Sequence, residues 1–273
     1  MKKFCFIGFL LFWGIFIVRA ENDPVTISSS NTEAVFEERP IASPPFGVGE
    51  KIEYQIDYAF VPAGFACLQI LSTETVSGRT AWRIFSEAKT NKTTDVFFKV
   101  RDKNESWMDT ERWCSLRYRE DIREGGYKRR SETVFDHGSL TFRYTKWRKG
   151  TESHKEGTLS PFVQDVLSAL YFIRTLPLTM GQEIPLNANS GSSNWPLIIR
   201  VLGREKIKVP GGTFRCIRVE PVMAGDGLFK AKGKLEVWLT DDFQRIPVKL
   251  RSKVAVGAFD ADMIAYQPPH LLE

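Results

Sequence analysis

Histidine is scarce in this 273-residue chain, occurring only at His137, His154 and His270. None lies near another potential ligand at metal spacing, so a metal centre or a His-centred relay would have to be assembled entirely by the fold. The four cysteines, Cys5, Cys67, Cys114 and Cys216, include no CxxC pair, which argues against zinc and thioredoxin-like chemistry. Beyond Val18 no apolar run approaches the ~20 residues that cross a bilayer. Helical periodicity is also nearly missing, and only one long stretch of the mature chain carries it. No cofactor motif is present, and no cofactor is expected.

What is present begins with an export signal. Met1-Lys2-Lys3 precedes an apolar run from Phe4 to Val18, and Val18-Arg19-Ala20 offers small residues for a cut after Ala20. Residues 1–20 therefore read as a signal peptide, with an uncleaved anchor as the alternative. Cys5 lies inside the apolar run, badly placed for acylation. Cleavage removes Lys2, Lys3 and Arg19 and lowers the formal charge from +5 to +2, so much of the basicity belongs to the signal. Nucleic acid is excluded as an expected partner, and the predicted location is the periplasm. In that oxidising compartment Cys67, Cys114 and Cys216 can form one disulfide or remain three buried thiols.

Residues 21–45 are polar, contain Pro24, Pro40, Pro44 and Pro45 and show no period, which predicts a disordered tether. From Lys51 the pattern alternates like a half-buried strand, with Ile52, Tyr54, Ile56, Tyr58 and Phe60 on one side. A turn is predicted at Val61-Pro62-Ala63-Gly64 and a hairpin at Gly125-Gly126, between Ser115–Glu124 and Tyr127–Phe135. Residues 91–100 are ambiguous between a short helix and a loop, and His154 falls in a polar loop. Turns at Gly203 and at Pro210-Gly211-Gly212 divide the later strands. The helical stretch has Val163, Val166, Leu167, Leu170, Arg174 and Leu178 at i, i+3, i+4, i+7 spacing, with Ser160 as N-cap, Pro161 in the first turn and Pro177 as terminator. The predicted fold is mainly β: one large curled antiparallel sheet, half-barrel-like, on a central helix at about 161–175. It forms a single domain over 46–266, with a tail at 267–273.

Candidate chemistry is thin. Asp241-Asp242 is the best acidic pair, suited to acid–base work or to capping a turn beside Arg245. The basic residues around Lys128-Arg129-Arg130 suit an anion-binding surface, yet residues 101–160 hold fourteen Lys/Arg against eleven Asp/Glu, which favours a mixed solvated face. Tyr54, Tyr58, Trp82, Phe142, Tyr144 and Trp238 alternate on strand faces and are the candidate ligand-binding residues, although a packed core would use them too. Asp165 borders the apolar stripe, either exposed or buried with polar partners.

Several segments together carry a resemblance. They are Gln164-Asp165-Val166-Leu167-Ser168-Ala169-Leu170-Tyr171-Phe172-Ile173-Arg174, Val209-Pro210-Gly211-Gly212-Thr213-Phe214 with Arg218-Val219-Glu220-Pro221, Val237-Trp238-Leu239-Thr240-Asp241-Asp242 with Arg245-Ile246-Pro247-Val248, and Arg123-Glu124-Gly125-Gly126-Tyr127. Over about residues 47–265 the chain resembles exported bacterial proteins grouped as domain of unknown function thirty-one oh eight. The resemblance implies a periplasmic, mostly β protein with one central helix and implies no activity. The half-barrel reading also looks like the folds of lipoprotein carriers, a likeness of fold that does not fix function. The leading expectation is a non-enzymatic binder of a lipid, glycolipid or polysaccharide on the concave face of the sheet. The alternatives are a polysaccharide hydrolase or lyase using Asp241 and Asp242, and an envelope scaffold that binds another protein.

Overall fold

Among the described residues, fourteen strands build one antiparallel sheet in the order β8-β7-β6-β5-β4-β3-β2-β1-β14-β13-β12-β11-β10-β9. The computed structural model describes residues 44–223, 234–254 and 256–270. The predicted signal peptide at 1–20, nearly all of the predicted tether at 21–45 and residues 271–273 lie outside them. The first run of strands is β1 (Lys51–Tyr58), β2 (Val61–Val76), β3 (Arg79–Thr90), β4 (Arg101–Asp109), β5 (Ser115–Glu124), β6 (Tyr127–Asp136), β7 (Thr141–Arg148) and β8 (Thr151–Thr158). The second run is β9 (Glu183–Asn189), β10 (Asn194–Val209), β11 (Gly212–Met223), β12 (Lys234–Thr240), β13 (Pro247–Lys253) and β14 (Ala258–Gln267). A short helix, α1 (Lys92–Asp95), joins β3 to β4, and α2 (Val166–Arg174) carries the chain from one sheet edge to the other.

The two runs meet where β1 pairs with β14, with Lys51 opposite Gln267 and Tyr58 opposite Phe259. Strands β8 and β9, neighbours in sequence, are the two free edges. The curl brings β3 and β4 to one side of α2 and β9 to the other, so one helix plugs the concave face. Its approach segment ties the halves together. Val163 O accepts from Ser115 N (2.9 Å), Gln164 N donates to Asn187 O (2.8 Å) and Asn189 N donates to Gln164 O (2.9 Å). Gln164 thereby covers part of the β9 edge, whose unpaired amides would otherwise invite another strand.

This stitching explains the first correction. The helix begins at Val166, not near 161, because Pro161-Phe162 form a turn with Phe162 at φ 51°, and Gln164 then bridges to Ala188 of β9. Asp165 is the N-cap. Its carboxylate accepts from Leu167 N and Ser168 N, while Ser168 Oγ accepts from Asp165 N at 2.9 Å, completing a capping box. The C-terminal end falls at Thr175 as predicted.

Other boundaries moved too. The β1–β2 turn is Ala59-Phe60, both left-handed (φ 47° and 70°), whereas Val61–Gly64 belongs to β2. Pro62 is tolerated there because Ala63 is the extra residue of a bulge, Asp57 facing Pro62 and Ile56 facing Gly64. Phe60 therefore leaves the buried face of β1 and is 86% exposed. Gly203 likewise lies inside the sixteen-residue β10 and is not a turn: it faces Arg218 beside a bulge whose extra residue is Leu202. His154 sits on β8, an almost wholly exposed edge strand, instead of in a loop. The Gly125-Gly126 hairpin stands where it was predicted. At the Pro210-Gly211-Gly212 turn, a Cβ on Gly211 would lie 2.9 Å from Met263 O, and Gly211 N donates to that carbonyl at 2.8 Å. Only glycine permits so close an approach to β14.

Candidate functional site: an apolar groove beneath the helix

The apolar residues of α2 are buried nearly all round, so the helix has two working faces. Leu167, Tyr171 and Arg174 face the packed core. Tyr171 meets Phe46 edge-on at 4.8 Å, beside Trp82 and Trp113. The Arg174 guanidinium is fully buried and clamps Glu50 through two hydrogen bonds of 2.7 and 2.8 Å. It also donates to Gln244 O at 3.1 Å and lies over the Phe46 and Tyr171 rings at 4.9 and 5.0 Å. This fork matches a carboxylate in two places at once and suits arginine better than lysine. Burial and the neighbouring Glu50 carboxylate push the Tyr171 phenol well above its ordinary value.

The opposite face of α2 does not pack solid. Val166, Ala169, Leu170 and Ile173 form one wall of a half-enclosed groove, and Leu197, Ile199, Val219 and Val237 of β10, β11 and β12 form the other. The space between them amounts to about 680 Å³ with its mouth included, and the accessible wall is almost entirely carbon. Much of that figure is open solvent at the mouth; the room for water-sized spheres is about 60 Å³, well below the roughly 300–1,000 Å³ of small-molecule sites, so a ligand is held at the open mouth or must part the walls.

Polar atoms gather only at the N-terminal end of the helix, where Asp165 and Asn189 border the groove. Asp165 is 1% exposed, and its second carboxylate oxygen accepts from Ser106 Oγ at 2.5 Å and from Ser115 Oγ. Burial raises the Asp165 carboxyl above its ordinary value, opposed by the two serine hydroxyls and the two helix N–H groups. Asn189 turns its amide to Asn194 Oδ1 (2.9 Å) and its carbonyl to Gly191 N (2.7 Å). Both side chains are thus occupied within the protein.

The six aromatic candidates stand elsewhere, and none lines the groove. Tyr54 is core and donates to Pro247 O at 2.7 Å. Tyr58 lies at the sheet end, donating to Val256 O at 2.9 Å and tilting onto Phe259 at 4.7 Å. Trp82 packs on Phe46 and Trp113. Phe142 covers Gly157, and Tyr144 covers Gly191. Trp238 is buried, with its indole N–H on Glu205 at 2.9 Å.

Asp241 pairs with Arg204 (2.9 Å) and Arg245 (3.3 Å). Asp242 Oδ1 accepts from Thr240 Oγ1, Gln244 N and Arg245 N as a turn cap, and neither acid lines the groove. The hydrolase or lyase alternative loses its acids on this geometry. Much of the basic run is paired: Arg119 with Glu132, Arg123 with Asp121, Arg129 with Glu120 and Arg143 with Glu156. Cys67, Cys114 and Cys216 are thiols, and burial pushes Cys216 up to about 12. Among the described residues no group of three or more His, Cys, Asp or Glu is placed to hold a metal ion.

The signal that marks the groove was present in the sequence. Val166, Ala169, Leu170 and Ile173 follow the same i, i+3, i+4, i+7 rule as the core face, displaced by one position.

With this geometry in view, the sequence matches a family model described as "Protein of unknown function (DUF3108)" over residues 53–264. The chain belongs to the DUF3108 family. Among solved structures, the DUF3108 chain is similar to a β-barrel-like protein of domain of unknown function DUF1849 from Brucella abortus. The identity is 9%, 82% of this chain and 98% of that one are covered, and the TM-score is 0.56. It is also similar, at 8% identity and TM-score 0.37 over 82% of this chain and 98% of the other, to a protein with a YmcC-like fold from Bacteroides fragilis, described as exported. Comparison with the curated proteins gives no match. The DUF1849 likeness bears on the fold of this DUF3108 protein alone.

Proposed function

We propose that this protein holds the hydrocarbon part of a lipid in the groove between α2 and β10–β12, as a binding protein of the bacterial envelope. The carbon wall of the groove carries the reading. Among lipid, glycolipid and polysaccharide, a surface without free hydrogen-bonding groups suits only the part of a ligand that needs none. A sugar hydroxyl desolvated there would lose its water partners and gain nothing in return. The predicted export signal supports an envelope location, where such ligands are abundant.

The test is native mass spectrometry of protein purified from its envelope fraction, followed by displacement of a fluorescent fatty acid from the delipidated protein. Ala169→Phe and Leu235→Phe fill the groove from opposite walls, and circular dichroism with urea melts checks their folding. Co-purified lipid and loss of fluorophore binding in both folded variants support the proposal. A delipidated wild type that binds no fluorophore, together with no lipid in the native spectrum, defeats it.

A further inference from the structure

Antiparallel pairing puts the β1–β2 turn, the α1 connection and the β13–β14 turn at one end of the sheet. Three contacts bind these loops together. Ala59 N donates to Ala258 O (3.1 Å), Asn91 N to Ala63 O (2.9 Å), and Asn91 Nδ2 to Pro62 O (2.7 Å). This end carries five large apolar side chains in water: Phe60, Val61, Val96, Phe97 and Val256. Phe60 is 86%, Phe97 85% and Val96 80% exposed. Single exposed apolar residues are ordinary, but five on three adjoining loops, two of them phenylalanines, mark an interaction surface.

Their setting says what the surface meets. Val96-Phe97 lies between Lys92 and Lys99, both exposed, and Phe98 rests on Gly125 beside the exposed Lys128 of β6. Of the acids close by, Asp95 pairs with Arg101 and Glu87 with Lys103, while Asp57 accepts from Gln55 Nε2 at 2.9 Å. Apolar tips ringed by unspent cations match the surface of an anionic bilayer, where the tips enter the acyl boundary and the ammonium groups stay among phosphates.

The end is also the one that reaches the groove. Cross-strand partners run Leu235–Ser252–Phe259–Tyr58–Val61, linking groove-lining Leu235 to the rim along one line. Four strand steps separate them, roughly 19 Å at the usual inter-strand spacing.

We infer that this loop end docks on an anionic membrane surface through Phe60, Val61, Val96 and Phe97, flanked by Lys92, Lys99 and Lys128. Docking stands on the rim alone, and it deepens the lipid-binding reading by placing the groove beside the bilayer. The contact is reversible, because it rests on four apolar side chains and no helix among the described residues is long and apolar enough to span a bilayer.

The test is co-sedimentation of the purified protein with vesicles of phosphatidylglycerol and phosphatidylethanolamine, and with vesicles of phosphatidylcholine alone. Wild type should bind the anionic vesicles, and binding should weaken with salt. Phe97→Asp and Phe60→Asp should each lower the partition by about tenfold or more, and Lys92→Glu/Lys99→Glu should do so for anionic vesicles. These positions are exposed, so the folds should survive, with urea melts as the check. Groove-filled Ala169→Phe should still bind vesicles, while the rim variants should still bind the fluorescent fatty acid, so the two proposals fail separately. Wild type that ignores both vesicle types, or rim variants that bind as wild type does, overturns the docking proposal; the first result would leave the rim to a protein partner.

Discussion

Replacing Arg174 by methionine tests the reasoning about the plug at its most exposed point. Both partners of the Arg174–Glu50 pair are fully buried, and Arg174 supplies the two short hydrogen bonds to that carboxylate. What remains near Glu50 is Tyr266 Oη at 3.5 Å, too long to replace them, and the neighbouring Tyr171 phenol, a neutral group that cannot balance the charge. Gln244 O would lose its guanidinium donor as well. Breaking a buried pair by removing one partner costs ~3–5 kcal/mol, chiefly the penalty of the charge left behind. For a domain of this size that corresponds to a melting temperature lower by roughly 6–20 °C. Removing both charges is a different matter. Glu50→Leu with Arg174→Met should recover most of the loss, because the Phe46 and Tyr171 rings already make an apolar surround. Urea unfolding followed by tryptophan fluorescence measures all three variants in a double-mutant cycle. A single variant that loses less than ~1 kcal/mol, or a double variant no better than the single, refutes the claim that an uncompensated buried charge dominates.

Three further outcomes are expected. Burial and the neighbouring Asp102 push the Glu124 carboxyl up to about 8 from 4.5, so the folded chain holds a proton that the unfolded chain releases. Its contribution is complete below about pH 4.5 and is lost as pH rises to about 8, by at most ~1.4 kcal/mol per pH unit. Urea midpoints between pH 5 and 8 should therefore slope less in Glu124→Gln than in wild type, and equal slopes would dismiss the buried proton. Asp165→Ala removes a cap and the acceptor of two buried serine hydroxyls; a loss of ~2–4 kcal/mol is expected by chemical denaturation. Asp242→Ala should cost only ~0.5–2 kcal/mol as a turn cap, and any larger effect confined to fatty-acid binding would contradict the structural role given to that turn.

The β architecture was legible wherever one face of a strand is wet and the other dry. The Gly125-Gly126 hairpin and the alternation of Ile52, Tyr54 and Ile56 needed nothing more. It failed where tertiary contacts overrode local signals. Ser160-Pro161 is a fair helix start by itself, but the capping box of Asp165 and Ser168 prevailed, since the residues before it were committed to bridging two strands. Strand β8 has no dry face and so no alternation to read. The Ala59-Phe60 turn carries none of the glycine or asparagine that a left-handed pair normally demands, at ~1–2 kcal/mol per residue. The aromatics Tyr54, Trp82 and Trp238 were visible as strand residues, yet whether they face a ligand or one another depends on the curl of the sheet. Sequence periodicity does not contain that curl.

The pairing of β1 with β14 has a consequence for how the molecule comes into being. The earliest strand of the sheet is finished, on one of its two sides, only by the latest. Through the making of a dozen intervening strands, β1 keeps a bare row of amides and carbonyls beside β2, in a chain whose contacts are mostly distant in sequence. Two half-meanders can collapse early, one on each side of α2, but neither is closed until the second arrives. A truncation a few residues inside β14 would thus leave a sticky ribbon at the centre of the protein instead of a shortened edge. A circular permutant that joins Lys51 to Gln267 through a short linker and opens between β8 and α2 would turn that slow, distant closure into a local hairpin.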